Sequence, residues 1–173
     1  MGVVLNRLMQ TIRLERDAFV WMDFNDRATG DAAILVGVTQ LLIVVGLGQS
    51  IVGLLNPLFL IGLLINAIFL WVVYSGATYA VAKYLLDGHG TYAAYLRITG
   101  FAYPTLIVIV FVSIVVSNGF LAFAISGIWF IVVVANGVMY LADLSREKAF
   151  TAAIGGFVVV VIVRTIFANL FSF

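Results

Sequence analysis

The chain has 173 residues, 64% of them hydrophobic and 10% charged, with a mean hydropathy of +1.20. A soluble domain is about half apolar and a quarter charged, so this composition excludes one: lipid is part of the solvent. Nine basic against eight acidic residues leave a net charge of +1, which supplies no field to hold nucleic acid, and the lack of cysteine excludes disulfides, thiolate metal sites and a cysteine nucleophile.

Residues 1–31 hold nine charges, and no uncharged apolar stretch in them reaches the roughly 7–15 residues of a signal-peptide core. Leu5, Leu8, Met9 and Ile12 recur at helical spacing, opposite Asn6, Arg7, Gln10 and Arg13, and Phe19, Trp21 and Phe24 follow. This pattern predicts an amphipathic helix in the headgroup layer, its arginines drawn to anionic lipid. The alternative is a plain tether that sets topology. The chain divides accordingly into a segment 1–31 and a membrane domain 32–173.

Residues 32–82 form a charge-free run of 51 residues. A bilayer crossing takes about 20 helical residues, so this run crosses twice, divided at Asn56-Pro57, where Asn56 caps and Pro57 opens a helix. A second charge-free run, residues 98–142, is divided at Ser117-Asn118-Gly119. The last apolar segment, 149–173, is interrupted only by Arg164. The expected fold is therefore all-α: a polytopic bundle of five transmembrane helices near 32–55, 57–82, 98–116, 120–142 and 149–171, preceded by an interfacial helix. In the third, Pro104 removes the N–H that would reach the Gly100 carbonyl, which predicts a packing kink, with glycine relieving the crowding.

Orientation follows from basic residues. Arg7, Arg13, Arg16 and Arg27, then Lys83 and Arg97, then Arg146 and Lys148 all fall on one side of five spans, and the opposite turns carry none. The N-terminus is expected in the cytoplasm and the C-terminus across the bilayer, in the plasma membrane of a prokaryote. Trp71 precedes Tyr92 by 21 residues and Trp129 precedes Phe150 by the same 21, a faint echo of a span–link–span repeat.

Arg164 is the costliest residue. It lies about 22 Å along the last span and shares a face with Ala149, Ala153, Gly156 and Val160. Two placements are open: pointing into the bundle, or snorkelling to the far headgroups about two turns away. The second is favoured. Gln49 is at a similar height, with Asn169 and the terminal carboxylate beyond. Gln40 and Asn66 fall near the midplane, with Asn136 nearer the cytoplasm, and all three read as amides bridging helices. His89 stands between Gly88 and Gly90 without a second histidine or a cysteine, so it reads as an exposed turn residue and not a metal ligand. Small-residue pairs (Gly76 and Ala80, Ala122 and Ser126, Ala152 and Gly156) let backbones approach within a bundle or between protomers. No catalytic constellation is visible, and no cofactor is expected.

The stretch Gly88-His89-Gly90-Thr91-Tyr92, followed by Arg97-Ile98-Thr99-Gly100-Phe101-Ala102-Tyr103-Pro104, resembles the Yip family of five-span membrane proteins, as does Arg16-Asp17-Ala18-Phe19 before the first span. The resemblance implies a non-enzymatic protein that binds partners or shapes membranes. Eukaryotic relatives are linked to Rab GTPases and to traffic between endoplasmic reticulum and Golgi. Residues 1–31 contain no counterpart of their acidic-aromatic Gly-Pro segment, which argues against a Rab partner and for a minimal prokaryotic-type member. Three readings stand: a membrane-organising or partner-binding scaffold; a small transporter or channel component using Arg164 and the Pro104 kink; and an interfacial enzyme, which needs Asp87, His89 and Asp143 to converge.

Overall fold

The structure is a computed structural model that describes residues 2–48 and 51–170, with the side chains of 51–52 and 167–170 left aside. Five of its helices are long and apolar enough to cross a membrane: Ala28–Gly46, Pro57–Leu85, Tyr92–Val115, Gly119–Ala142 and Arg146–Ile166. In chain order the elements are α1 (Gly2–Ile12), α2 (Arg16–Phe24), α3 (Ala28–Gly46), a short α4 (Ile51–Leu54), α5 (Pro57–Ala80) continued by a π turn over Val81–Leu85, α6 (Tyr92–Ala102), a 3-10 stretch (Tyr103–Ile107), α7 (Val108–Val115), α8 (Gly119–Ala142) and α9 (Arg146–Leu170). No strand occurs among the described residues.

The helix starts follow local chemistry. Asn56 accepts from the Leu58 N–H at 3.0 Å, with Pro57 in the first turn of α5, and Asn118 accepts from the Leu121 N–H at 3.1 Å to start α8. Each side-chain oxygen satisfies a donor that the helix leaves open. Thr91 caps α6 in the same way, accepting from Ala94. The third span thus begins at Tyr92, six residues before the expected start, and carries Arg97 inside it. The first span ends at Gly46, short of the expected 55.

Pro104 kinks the third span as expected, and the kink takes the form of a 3-10 segment with the proline in its first turn. Tighter winding accommodates a residue that cannot donate to the carbonyl four back, and the Thr105 hydroxyl donates to the Ala102 carbonyl at 2.7 Å. Before the kink α6 packs against α3, α5 and α8. Beyond it α7 packs chiefly against α8, with a lighter contact on α3, and has left the side of α5. Around the bundle α9 lies between α5 and α8.

The dense half is the one that carries the N-terminal helices and the basic links, here called the basic end. Tyr95, Ile98 and Phe101 are fully buried there. The Trp71 indole N–H points at both the Leu96 carbonyl (3.1 Å) and the Thr99 hydroxyl (3.0 Å), and the Ser75 and Thr99 hydroxyls lie 2.5 Å apart, a fully paired polar knot joining α5 to α6. Trp129, by contrast, is exposed, so the two tryptophans of the sequence echo have unlike surroundings. Gly100 also meets a neighbouring helix. A Cβ there would sit 2.5 Å from the Ala32 Cβ and 3.1 Å from the Trp71 ring, so glycine is required by the approach of α6 to α3 and α5.

Small residues do the same on α9. The Thr78 hydroxyl and the Tyr74 carbonyl lie against Gly156, and the Tyr74 hydroxyl donates to the Ala153 carbonyl at 3.1 Å. Ala122, Ser126 and Ala152 are likewise buried inside this single chain, so these three pack within the bundle itself, while Gly76 and Ala80 are half-buried. A substitution test follows from the crowding. Gly100→Ala overpacks the contact and is expected to cost about 1–3 kcal/mol, read as a lower melting temperature in detergent. Gly30→Ala, with nothing within 4 Å of the added carbon, leaves the melting temperature unchanged or raises it.

Candidate functional site

Two arginines organise the two halves of the molecule. Arg97, counted with the polar link in the sequence, lies in the second turn of α6 and is only 4% exposed. Its Nε donates to the Thr29 hydroxyl at 2.9 Å, Nη1 to the Met22 and Asp23 carbonyls at 3.0 Å each, and Nη2 to the Asp26 carboxylate at 2.5 Å. Met22 and Asp23 belong to the last turn of α2, where carbonyls lack helical partners and the dipole favours a cation. Burial of Arg97 is therefore tolerated because every side of the guanidinium has an acceptor. The sequence held one signal for this placement, the Thr91 cap six residues upstream, which makes Arg97 helical; its acceptors were invisible.

The N-terminal segment is accordingly no loose tether. Ala18, Phe19 and Met22 of α2 are buried in the core shared with the spans, and Trp21 meets Phe101 edge-on at 5.9 Å. The amphipathic helix is present as α1, resting on α2 and α6. Leu8 packs inward, while Val3, Leu5 and Met9 stay exposed. Arg7, expected on the polar face, turns back over the Trp21 ring (5.4 Å) and donates to Gln10 at 2.9 Å. Phe24 is 84% exposed, and Arg13, Arg16 and Arg27 are exposed at this same basic end.

The other half contains a cavity of about 880 Å³ to which all five spans contribute. The third span lines it from the kink onward, with Tyr103, Leu106 and Ile109. Three of the sequence candidates meet there: Gln40, Asn66 and Arg164. Gln40 accepts from the Tyr103 hydroxyl at 3.2 Å and so links the first and third spans. Asn66 does not bridge. Its amide lines the cavity and makes no hydrogen bond among the described residues. Asn136 does not bridge either, because its amide donates to the Val132 carbonyl of its own helix at 2.9 Å.

Arg164 lies at the mouth of the cavity wall and is itself exposed. It lines the cavity with its guanidinium 5.4 Å from the Phe123 ring centre. A ring face attracts a cation, and the open half of the bundle gives the side chain room. Among the described residues the one ion pair is Arg97–Asp26, so no carboxylate there pairs with Arg164. Gln49, the Asn169 side chain and the terminal carboxylate fall outside the described residues.

The link residues do structural work. The His89 N–H donates to the Ala142 carbonyl (3.1 Å), the Gly88 N–H to Ala82 (2.8 Å), and the Tyr95 hydroxyl to the His89 carbonyl (3.2 Å). Lys148 reaches the Leu86 carbonyl at 3.4 Å. The His89 side chain is exposed. No hydrogen bond or ion pair joins the side chains of Asp87, His89 and Asp143, and no group of three acidic or histidine residues suited to a metal occurs among the described residues.

Compared with known protein families, the chain matches the Yip1 domain over residues 15–168. No curated protein matches it, and no solved structure does.

The latch at Arg97 predicts an asymmetry. Arg97→Met strands the Met22 and Asp23 carbonyls in the interior and is expected to cost about 2–4 kcal/mol, with faster tryptic release of the N-terminal segment from protein in detergent. Asp26→Asn touches only the solvent-facing partner, 98% exposed, and costs under about 1 kcal/mol without changing the cleavage rate.

Proposed function

This chain belongs to the Yip1 domain family, and from that premise we propose that it is a non-enzymatic membrane-organising or partner-binding scaffold working from its basic end. The observation that supports this most directly is the Arg97 latch, which ties α2 to the bundle as a platform on which α1 rests. On that platform Val3, Leu5, Met9 and Phe24 are exposed beside Arg13, Arg16 and Arg27. Apolar side chains among cations suit both an anionic headgroup layer and a partner helix. Eight of the nine basic residues belong to this end, so we assign it to the cytoplasm by the positive-inside rule.

A second reading, a small transporter or channel component, draws on the cavity and on Arg164. Its walls are mainly apolar, however, and Trp71, Tyr74 and Phe130 line its inner part. A conduction path needs polar groups lining an open way through the whole thickness, and behind Trp71 the Ser75 and Thr99 hydroxyls are buried and bonded to one another.

Two experiments test the scaffold. In intact cells and inverted membranes, an impermeant maleimide is expected to label His89→Cys from the cytoplasmic face alone and Asn118→Cys from the opposite face alone. Affinity purification of the full chain from native membranes in mild detergent is expected to retain a stoichiometric partner. The triple variant Leu5→Glu, Met9→Glu and Phe24→Glu loses that partner while keeping its melting temperature. Retention of the partner by the variant, or solute flux through the reconstituted protein, contradicts the scaffold reading.

A further inference from the structure

We propose that the cavity is a binding site for an anionic amphiphile of the bilayer leaflet remote from the basic links, with its acidic headgroup on Arg164 and an acyl chain along the apolar walls. This is a separate site from the scaffold surface and stands on different residues. A volume of 880 Å³ lies within the range of about 300–1,000 Å³ typical of ligand sites. Leu63, Phe69, Leu106, Ile109 and Val160 supply its walls. Lipid chains are as apolar as these side chains, so what a chain gains inside is contact: walls facing no atoms forfeit their dispersion energy.

The order of groups by depth matches a lipid. Arg164 is six residues, about 9 Å, from the end of α9. Asn66 is nine residues, about 14 Å, from the start of α5, and Trp71 is about 21 Å from it. A cation thus lies nearest the remote surface, an amide without a hydrogen-bond partner among the described residues lies below it, and aromatic rings lie deepest. A lipid of that leaflet presents acid, ester carbonyls and chain in the same sequence. Its phosphate or carboxylate accepts from the guanidinium, which takes such groups in a two-pronged geometry, and its ester carbonyl accepts from Asn66. Charge complementarity singles out the anionic species. An arginine within a span is retained where it finds a partner, and Arg164 has the Phe123 ring and the nearby Tyr103 but no carboxylate among the described residues.

The deep tryptophan provides the readout. The full chain carrying Trp21→Phe and Trp129→Phe keeps Trp71 as its only tryptophan. It is reconstituted in phosphatidylcholine vesicles doped with dibrominated-chain phosphatidylglycerol or, in parallel, dibrominated-chain phosphatidylcholine. Bromine quenches an indole at contact, and Trp71 is 5% exposed, so quenching reports a chain inside the cavity. The anionic lipid is expected to quench at about fivefold lower mole fraction, the gain of one charge-assisted pair. Arg164→Gln abolishes that preference and Arg164→Lys keeps it. Gly62→Leu, which adds a side chain to the cavity wall where an added carbon meets nothing within 4 Å, reduces quenching by both lipids; it carries the test if the arginine variants fail to fold. Equal quenching by the two lipids, a preference unaltered in Arg164→Gln, or quenching unaltered in Gly62→Leu overturns the proposal. So does loss of the preference on adding inorganic phosphate at constant ionic strength, which assigns the site to a soluble anion.

Discussion

A missing backbone N–H at Pro104 divides this bundle into two unlike halves. An uninterrupted third span would run beside α5 along its whole length. The 3-10 segment that accommodates the proline turns the span toward α8 instead. On the near side of the turn α6 is wedged between three helices, close enough that Gly100 touches Ala32 and Trp71. On the far side the five spans diverge around open space. One half has the packing of a solid core, and the other has the shape of a receptacle.

Each half contains one arginine, and the two are satisfied in opposite ways. Arg97 is enclosed by a hydroxyl, two helix-terminal carbonyls and a carboxylate, so its charge is used up in holding α2 to α6. Arg164 has an aromatic ring and the wall of a cavity. The same side chain is thus a fastener in one place and an available cation in the other, and the difference lies in the number of acceptors around it.

The match to the Yip1 domain covers all five apolar helices almost entirely, and the basic residues gather at one end of them. The links at that end are stitched to one another through His89 and Lys148, and α2 packs against α6 and α8 at the same end. Such an end presents exposed apolar and basic side chains on helices whose backbones are fastened to the bundle, and a fastened backbone lowers the entropic cost of recognising a partner or a bilayer face. The cavity at the other end is independent of that surface, so one small protein has room for two kinds of contact.

The sequence by itself determined the number of spans, their turns and the kink. Those depend on local causes: charge-free runs measured against bilayer thickness, Asn56 and Asn118 as caps, and a proline that cannot donate. It also marked the family through residues near the second link. Interior side chains were legible only in part. Gln40 links two spans, but Asn66 and Asn136 were indistinguishable from it by depth, since an amide's partner depends on the helix that faces it. Arg97 looked like a link residue because a charge within an apolar run reads as a boundary until its acceptors, some seventy residues away, are brought together. Which side chains surround Arg164 was decided by the tertiary structure alone: its neighbours on the cavity wall, Phe123 among them, come from other spans, and no periodicity within its own helix encodes that.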